Sequence, residues 1–171
     1  MMEQVILVNE QDEPQGLMEK MEAHRKAELH RAFSVFIFHP DGRMLIHKRA
    51  ETKYHSGGLW TNACCSHPRN GEGTEAAAHR RLQEEMGFDC PIKHRFHFIY
   101  RTPLDQGLYE HELDHVFTGE YDGDITPDPE EVMDWKYVDV EKLKVSMEMN
   151  PEDYTVWFRI AFPKVIDFLG C

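Results

Sequence analysis

A thiol, an imidazole and two adjacent carboxylates are gathered by one short loop and one helix-like run between Trp60 and Phe88. The segment reads Trp60-Thr61-Asn62-Ala63-Cys64-Cys65-Ser66-His67-Pro68, then Gly71-Glu72-Gly73-Thr74, then Arg80-Arg81-Leu82-Gln83-Glu84-Glu85-Met86-Gly87. These types suit a metal ion and a phosphorylated ligand better than a packed core. In an extended segment Cys65 and His67, two residues apart, point to one side. Two readings of the pair stand open. One is a small buried Cys beside a surface His. The other is a thiolate paired with zinc, although the chain offers no Cys-x-x-Cys partner for a structural zinc ribbon.

A second constellation lies at 108–118. Residues two apart on a strand share a face, so Glu110, Glu112 and Asp114 project together. Three carboxylates on one face repel unless the face is solvated or a cation sits there. His111, Leu113 and His115 line the opposite face, and Tyr100 and Arg101 on a neighbouring strand offer further polar groups. His24 and His30, six apart, fall on different faces of a continuous helix and meet one metal only if a turn intervenes. Glu84 and Glu85 place negative charge at the unfavourable end of a helix dipole, which a bound cation would relieve, and Arg80 and Arg81 offset part of it. Lys20, Arg49, Lys53 and Arg81 either converge on an anion or form ordinary surface salt bridges.

The elements that must position these groups are mostly strands. Val5–Asn9 reads as a strand, and Asp12–Gly16 as a turn punctuated by Pro and Gly. Leu17–Met21 is a return strand or a helix start, and Glu22–Leu29 is helical or irregular. Ala32–Phe38 is a strong aromatic and β-branched strand, His39–Gly42 a hairpin turn and Arg43–Arg49 the return strand. Glu51–Leu59 is a charged, Gly-containing loop. Thr74–Met86 is the clearest helix, with Thr74 as N-cap, Gly87 at its C-terminus and Ala77, Ala78, Leu82 and Met86 facing the core. Strands follow at His94–Thr102, Leu108–Thr118 and Met133–Val138, the last with Trp135 and Tyr137 on one face. Asp122–Glu131 is an acidic loop. Pro151–Leu169 is a final helix that Pro163 would kink. Strands and helices do not alternate regularly, which favours an α+β mixed sheet flanked by helices over a doubly wound parallel sheet.

Composition bounds the function. With 171 residues, 41% of them apolar, the chain fits one domain spanning 1–171. A net charge of −12 argues against a nucleic-acid groove, whose affinity comes from Lys and Arg, but not against a small anion held locally. The short apolar run Val5–Val8 is no signal peptide, and no stretch approaches the roughly 18 apolar residues of a membrane span. Cys64, Cys65, Cys90 and Cys171 form no disulfide framework, and Cys171 is misplaced for a prenylation box. A reduced, cytoplasmic, monomeric protein is expected.

Together these residues resemble the Nudix box: Glu72, seven residues, then Arg80-Arg81-Leu82-Gln83-Glu84-Glu85-Met86-Gly87. Ser66 replaces the Gly that opens the box, and Arg81 replaces the first catalytic Glu that Nudix hydrolases use in their metal cluster. The same departures resemble the type I isopentenyl-diphosphate isomerases. So do Thr61–Pro68, His30–Phe36, Glu85 with Gly87, and Glu110-His111-Glu112. The likeness runs over roughly residues 5–160 and implies a Nudix α-β-α sandwich. It implies that His24, His30, His67, Glu110 and Glu112 bind one divalent Zn²⁺ or Mn²⁺. It further implies that Glu85, with the Cys65 backbone carbonyl, holds Mg²⁺ bridging to a diphosphate whose oxygens meet Lys20, Arg49, Lys53 and Arg81. Cys65 and Glu112 would flank the substrate carbons, Tyr100 would sit beside Glu112, and Trp157, otherwise an ordinary core aromatic, would face the hydrocarbon. The implied reaction shifts a double bond between isopentenyl and dimethylallyl diphosphate by protonation and deprotonation. A nucleotide pyrophosphohydrolase would need Glu in place of Arg81, and a catalytically dead binding module should lack Cys65 or Glu112.

Overall fold

The structure, a computed structural model, describes residues 3–170; Cys171 lies outside the described residues. The organising strand is β3 (His30–Phe38), whose apolar, partly β-branched sequence is buried along nearly all its length. Its side chains alternate between two cores. Phe33, Val35 and Ile37 pack with Leu45 and Phe117 against Ala77, Ala78, Leu82 and Met86 of helix α2 (Thr74–Met86). Phe36 turns the other way with Met44, Ile46 and Val116, against Phe158, Ala161, Phe162 and Val165 of helix α4 (Val156–Leu169). The sheet is therefore sandwiched between helices, as the sequence reading expected.

β3 is flanked on one edge by the parallel strand β8 (Tyr109–Glu120), which pairs antiparallel with β7 (Ile92–Pro103). Elsewhere along β3 lie β1 (Gln4–Val8), the short strand β6 (Cys64–Ser66) and the start of β4 (Met44–Arg49). β1 carries β2 (Pro14–Glu19), while β4 carries β5 (Trp60–Asn62) and β9 (Val132–Val138). Trp135 and Tyr137 share a face, packed against the α2-side core. Among the described residues no helix is long and apolar enough to cross a membrane.

Two local expectations are corrected. The N-cap of α2 is Gly73, in extended backbone with no side-chain capping bond, and Thr74 is the first helical residue. The closing helix is split: Pro151–Asp153 form one 3-10 turn, and α4 begins anew at Val156 because the Thr155 side chain caps the Phe158 amide at 3.3 Å. Pro163 lies inside α4, which continues through it. Helix α3 (Val140–Met149) was not expected; Val140, Leu143 and Met147 recur at i, i+3 and i+7 and pack on the α4-side core, although of these only Leu143 is fully buried. Gly87 closes α2 in the left-handed region (φ 74°), where a Cβ would also come within 2.1 Å of the Thr126 carbonyl oxygen.

His47, at the centre of β4, illustrates how burial here sets pH behaviour. Its Nδ1 lies 3.0 Å from the Ala63 carbonyl, and burial, aided by the Arg49 charge, drops its pKa to about 3. A folded pKa below the unfolded value of 6.5 means the folded state prefers the neutral ring. That stability is fully present above pH 6.5 and is lost as pH falls toward 3. His47→Asn keeps an amide donor for Ala63 and has no charge to gain. Urea unfolding between pH 7 and 4 is expected to show an acid slope shallower by up to about 1.4 kcal/mol per pH unit in the variant. Identical slopes would refute this account.

Candidate active site

Strand register brings the chemistry-bearing residues together. On β8, Glu112 pairs with His30 of β3 on one side and with Tyr100 of β7 on the other. Helix α1 (Lys20–Lys26) ends where Ala27 adopts a left-handed conformation (φ 55°), and the chain then turns directly into β3. That turn is the one the His24–His30 spacing required. It brings the two rings to 5.4 Å, with His67 at 4.9 Å from His30 and 6.0 Å from His24. Glu110, Glu112 and Asp114, which an exposed edge would have left in water, are all buried.

The hydrogen bonds of this cluster place imidazole nitrogens against carboxylate oxygens, where a proton or a metal ion must lie between. Nδ1 of His24 sits 2.7 Å from the Lys20 carbonyl, and Nδ1 of His30 lies 2.9 Å from the Glu28 carbonyl. A carbonyl only accepts, so both Nδ1 atoms carry the proton, and in the neutral ring Nε2 is left as a bare lone pair. Yet His24 Nε2 faces Glu110 Oε1 at 2.9 Å, and His30 Nε2 faces Glu112 Oε2 at 3.2 Å. Lone pair against carboxylate is repulsive unless a proton or a metal ion lies between. His67 Nε2 reaches the same Glu112 oxygen at 2.9 Å. The ligand atoms of His24, His30 and His67 lie within 4.8 Å of one another, and so, as a second group sharing His30, do those of His30, Glu110 and Glu112; each group is compact enough to hold an ion. Burial would raise Glu112, but its contacts with His30 and His67 outweigh burial and hold it well below the usual carboxylate range. Glu110 is pushed up by burial and then by the Glu112 charge. Burial lowers His24 to about 4, so its ring is neutral and able to ligate.

Beside this cluster lies a small cavity of about 40 Å³, lined by Arg49, Cys65, His67, Tyr100, Glu110, Glu112 and Trp157 together with Tyr54, His55 and Ser66. The Tyr100 hydroxyl donates to Glu112 Oε1 at 2.6 Å. Cys65 Sγ lies 3.1 Å from Asn62 Oδ1 and 3.6 Å from Ser34 Oγ, and burial followed by the Asp114 charge pushes the thiol up, so it keeps its proton at neutral pH. The Arg49 guanidinium stands 5.0 Å over the Trp157 ring. Arg49 Nε, His55 Nε2, Glu110 Oε2 and Trp157 Nε1, all on residues lining this cavity, are buried without a hydrogen-bond partner. Such orphans are uncommon, and their gathering around one cavity marks a place built for a ligand.

Adjacent Cys64 and Cys65 point through opposite faces of β6, which divides the expected residues into two groups. Cys64 faces the α2-side core, where its thiol donates to Glu85 Oε2 at 3.2 Å. Glu85 also pairs with Arg81 at 3.2 Å; Arg81 meets Glu131 at 3.5 Å, and Lys53 is bound to Glu131 as well. Lys53, Arg81 and Glu85 therefore do not line the cavity itself. Lys20 pairs with Glu3 at 2.9 Å and lies 4.5 Å above the Tyr54 ring, at the border of the histidine cluster. Arg49 alone of the four expected cations is a cavity wall. His55, Tyr54 and Ser34 were not singled out from the sequence. The first two belong to the loop after β4, and only the folded β4–β5 hairpin shows that this loop roofs the cavity.

Residues 28–158 match the NUDIX domain family. The chain is 50% identical over 166 residues to isopentenyl-diphosphate Delta-isomerase 2 of Aromatoleum aromaticum, covering 97% of this chain and 88% of that relative. It is likewise 50% identical over 165 residues to the isopentenyl-diphosphate Delta-isomerase of Pectobacterium atrosepticum, covering 96% and 92%. The chain belongs to the isopentenyl-diphosphate Delta-isomerase family of the Nudix superfamily. Among solved structures, DR0079 of Deinococcus radiodurans superposes with a TM-score of 0.72 at 20% identity, covering 86% of this chain and 90% of that one. A MutT protein of Methanosarcina mazei superposes with a TM-score of 0.65 at 19% identity, covering 80% and 91%. These two show the Nudix fold. Within that fold, the isomerase-family chain has Arg81 where the Nudix box places a glutamate, and it uses this Arg to neutralise Glu84 and Glu85.

Proposed function

We propose that this chain interconverts isopentenyl diphosphate and dimethylallyl diphosphate for isoprenoid biosynthesis. The observation that carries the proposal is that two proton-transfer groups, the Cys65 thiol and the Glu112 carboxylate, line one small cavity walled by Trp157. Shifting an unactivated double bond requires a proton added to the terminal CH₂ and another removed from the CH₂ on the far side of the branched carbon. Between these events the branched carbon is a tertiary cation. Cys65 and Glu112, flanking the substrate from opposite sides, would exchange these protons, with Tyr100 hydrogen-bonded to Glu112. Trp157 would face the cation with its π cloud, worth about 2 kcal/mol or more where water is excluded.

The diphosphate would be met by Lys20, Arg49, Lys53 and Arg81, the Arg side chains in forked geometry. Three of these now hold carboxylates, which an incoming diphosphate would displace. The bare Nε2 atoms facing carboxylates fit a divalent ion. His24, His30, His67, Glu110 and Glu112 would hold Zn²⁺ or Mn²⁺, and Glu85, with the Cys65 backbone carbonyl, would hold Mg²⁺ accompanying the diphosphate. The first ion, when bound, would orient Glu112 and tune its acidity.

The test is NMR of the protein with isopentenyl diphosphate, Mg²⁺ and Mn²⁺ in D₂O. Dimethylallyl diphosphate carrying deuterium in its methyl groups is the expected product, with no release of phosphate or pyrophosphate. An unchanged alkene in folded, metal-loaded protein would overturn the proposal. Release of phosphate or pyrophosphate would point to a hydrolase instead.

A further inference from the structure

We infer that His55 is a fourth imidazole of the cation site, its Nε2 directed at the same ion as His24 and Glu110. This rests on the reading of the histidine–carboxylate cluster as a divalent-metal site. The ligand atoms of His24, His55 and Glu110 all lie within 4.8 Å of one another. His55 is only 3% exposed, and its Nε2 stands 3.5 Å from Glu110 Oε1 without a hydrogen-bond partner. Glu110 Oε2 beside it is unpartnered too. A histidine kept for packing alone would have both nitrogens satisfied, or would be a phenyl ring. Here Nδ1 lies 3.1 Å from Ser56 Oγ, and the other nitrogen is aimed at the cluster and left bare.

The ring is also held in place. Tyr54 packs edge-on at 4.3 Å between centroids, Trp157 at 5.4 Å, and the His24 ring lies at 5.7 Å. Its backbone carbonyl accepts from Arg49 Nη2 at 3.1 Å, and the Gly58 amide donates back to the Arg49 carbonyl at 2.9 Å. Ser56 is left-handed (φ 54°), a conformation that L residues avoid unless the surroundings impose it. At Gly57 a Cβ would come within 2.7 Å of the Glu51 carbonyl oxygen. The loop is thus fixed by contacts that together aim His55 into the cavity. An added neutral imidazole should favour transition ions such as Zn²⁺, Mn²⁺ or Co²⁺ over Mg²⁺ at this site.

The test is Co²⁺ binding to the chelator-stripped protein, read by competition with a chromogenic chelator and by the visible Co²⁺ spectrum. His55→Ala and His55→Gln are compared with the unsubstituted protein, and thermal unfolding of each metal-free form confirms folding. Expected are an affinity weaker by about 10–100-fold, a changed Co²⁺ spectrum, and recovery of both in His55→Ala on adding free imidazole. If the alanine variant does not fold, the glutamine variant, which keeps a polar side chain of similar volume, decides by the first two readouts. Unaltered affinity and spectrum in a folded variant would overturn the inference and leave the metal site standing. Absence of Co²⁺ binding by the unsubstituted protein would overturn both.

Discussion

Glu112→Gln is expected to reduce isomerase turnover by about 10²–10⁴-fold while leaving the fold intact. Glutamine preserves the volume at a buried position and can still accept the Tyr100 hydroxyl through its amide oxygen. It cannot take up a proton in the way a carboxylate does. It also removes the negative charge that His30 and His67 face at 3.2 and 2.9 Å, so metal affinity should fall as well. The two effects separate in one experiment. Saturating Mn²⁺ should refill the site, as read by metal content after gel filtration, and still leave turnover low. If activity returns in step with metal occupancy, Glu112 is a ligand and nothing more, and the proposed proton transfer at this position fails. The expectation is specific to Glu112. Glu110 is pushed toward its protonated form by burial and by the Glu112 charge, and Asp114 is bound by the Ser34 hydroxyl at 2.7 Å.

The fold was legible where local pattern and tertiary need coincide. Ala32–Phe38 is apolar on both faces, and β3 is indeed buried on both, between α2 and α4. The small and apolar positions of α2 mark its inner face directly. The period of two in Glu110-x-Glu112-x-Asp114 put three carboxylates on one face, and the family resemblance turned that into a ligand set. What pairwise spacing could not show is which face of the sheet each residue joins. Cys64 and Cys65 look like one motif, yet one belongs to the Glu85–Arg81 cluster and the other to the cavity. The partners of the cations were hidden for a similar reason. Lys53 and Arg81 share Glu131, a residue that the sequence shows only as part of an acidic loop. Helix α3 carried a readable signal that was passed over: the Asp139 side chain accepts from the Lys142 amide at 3.1 Å, and Val140, Leu143 and Met147 recur at helical spacing on the core side. His55 stayed invisible because a lone His in a Gly-rich loop carries no periodicity at all.

Cys65→Ala is the complementary experiment, and an equally large loss of turnover, about 10²–10⁴-fold, is expected from it. The thiol is small, and its removal leaves little to disturb. Asn62, whose Oδ1 accepts from Cys65, is independently anchored through Nδ2 to the Val35 and Cys64 carbonyls at 3.0 Å each. Ser34 keeps its bond to Asp114. β6 stays paired with β3 through backbone bonds that the substitution does not touch. Thermal unfolding should therefore be close to that of the unsubstituted protein, while the D₂O assay shows almost no dimethylallyl diphosphate. Metal binding should be unaffected, because Cys65 is absent from the groups of donors that could share an ion. That contrast makes the pair of variants decisive: Glu112→Gln should lose metal affinity and turnover together, Cys65→Ala turnover alone. Cys65→Ser sharpens the point. Its hydroxyl can keep the contact to Asn62, but a serine O–H gives up its proton far less readily than a thiol, so activity should remain well below that of the unsubstituted protein. A Cys65→Ala protein that folds, binds metal and turns over substrate near normally would mean that proton exchange proceeds from the Glu112 side alone, and the two-sided mechanism would have to be abandoned.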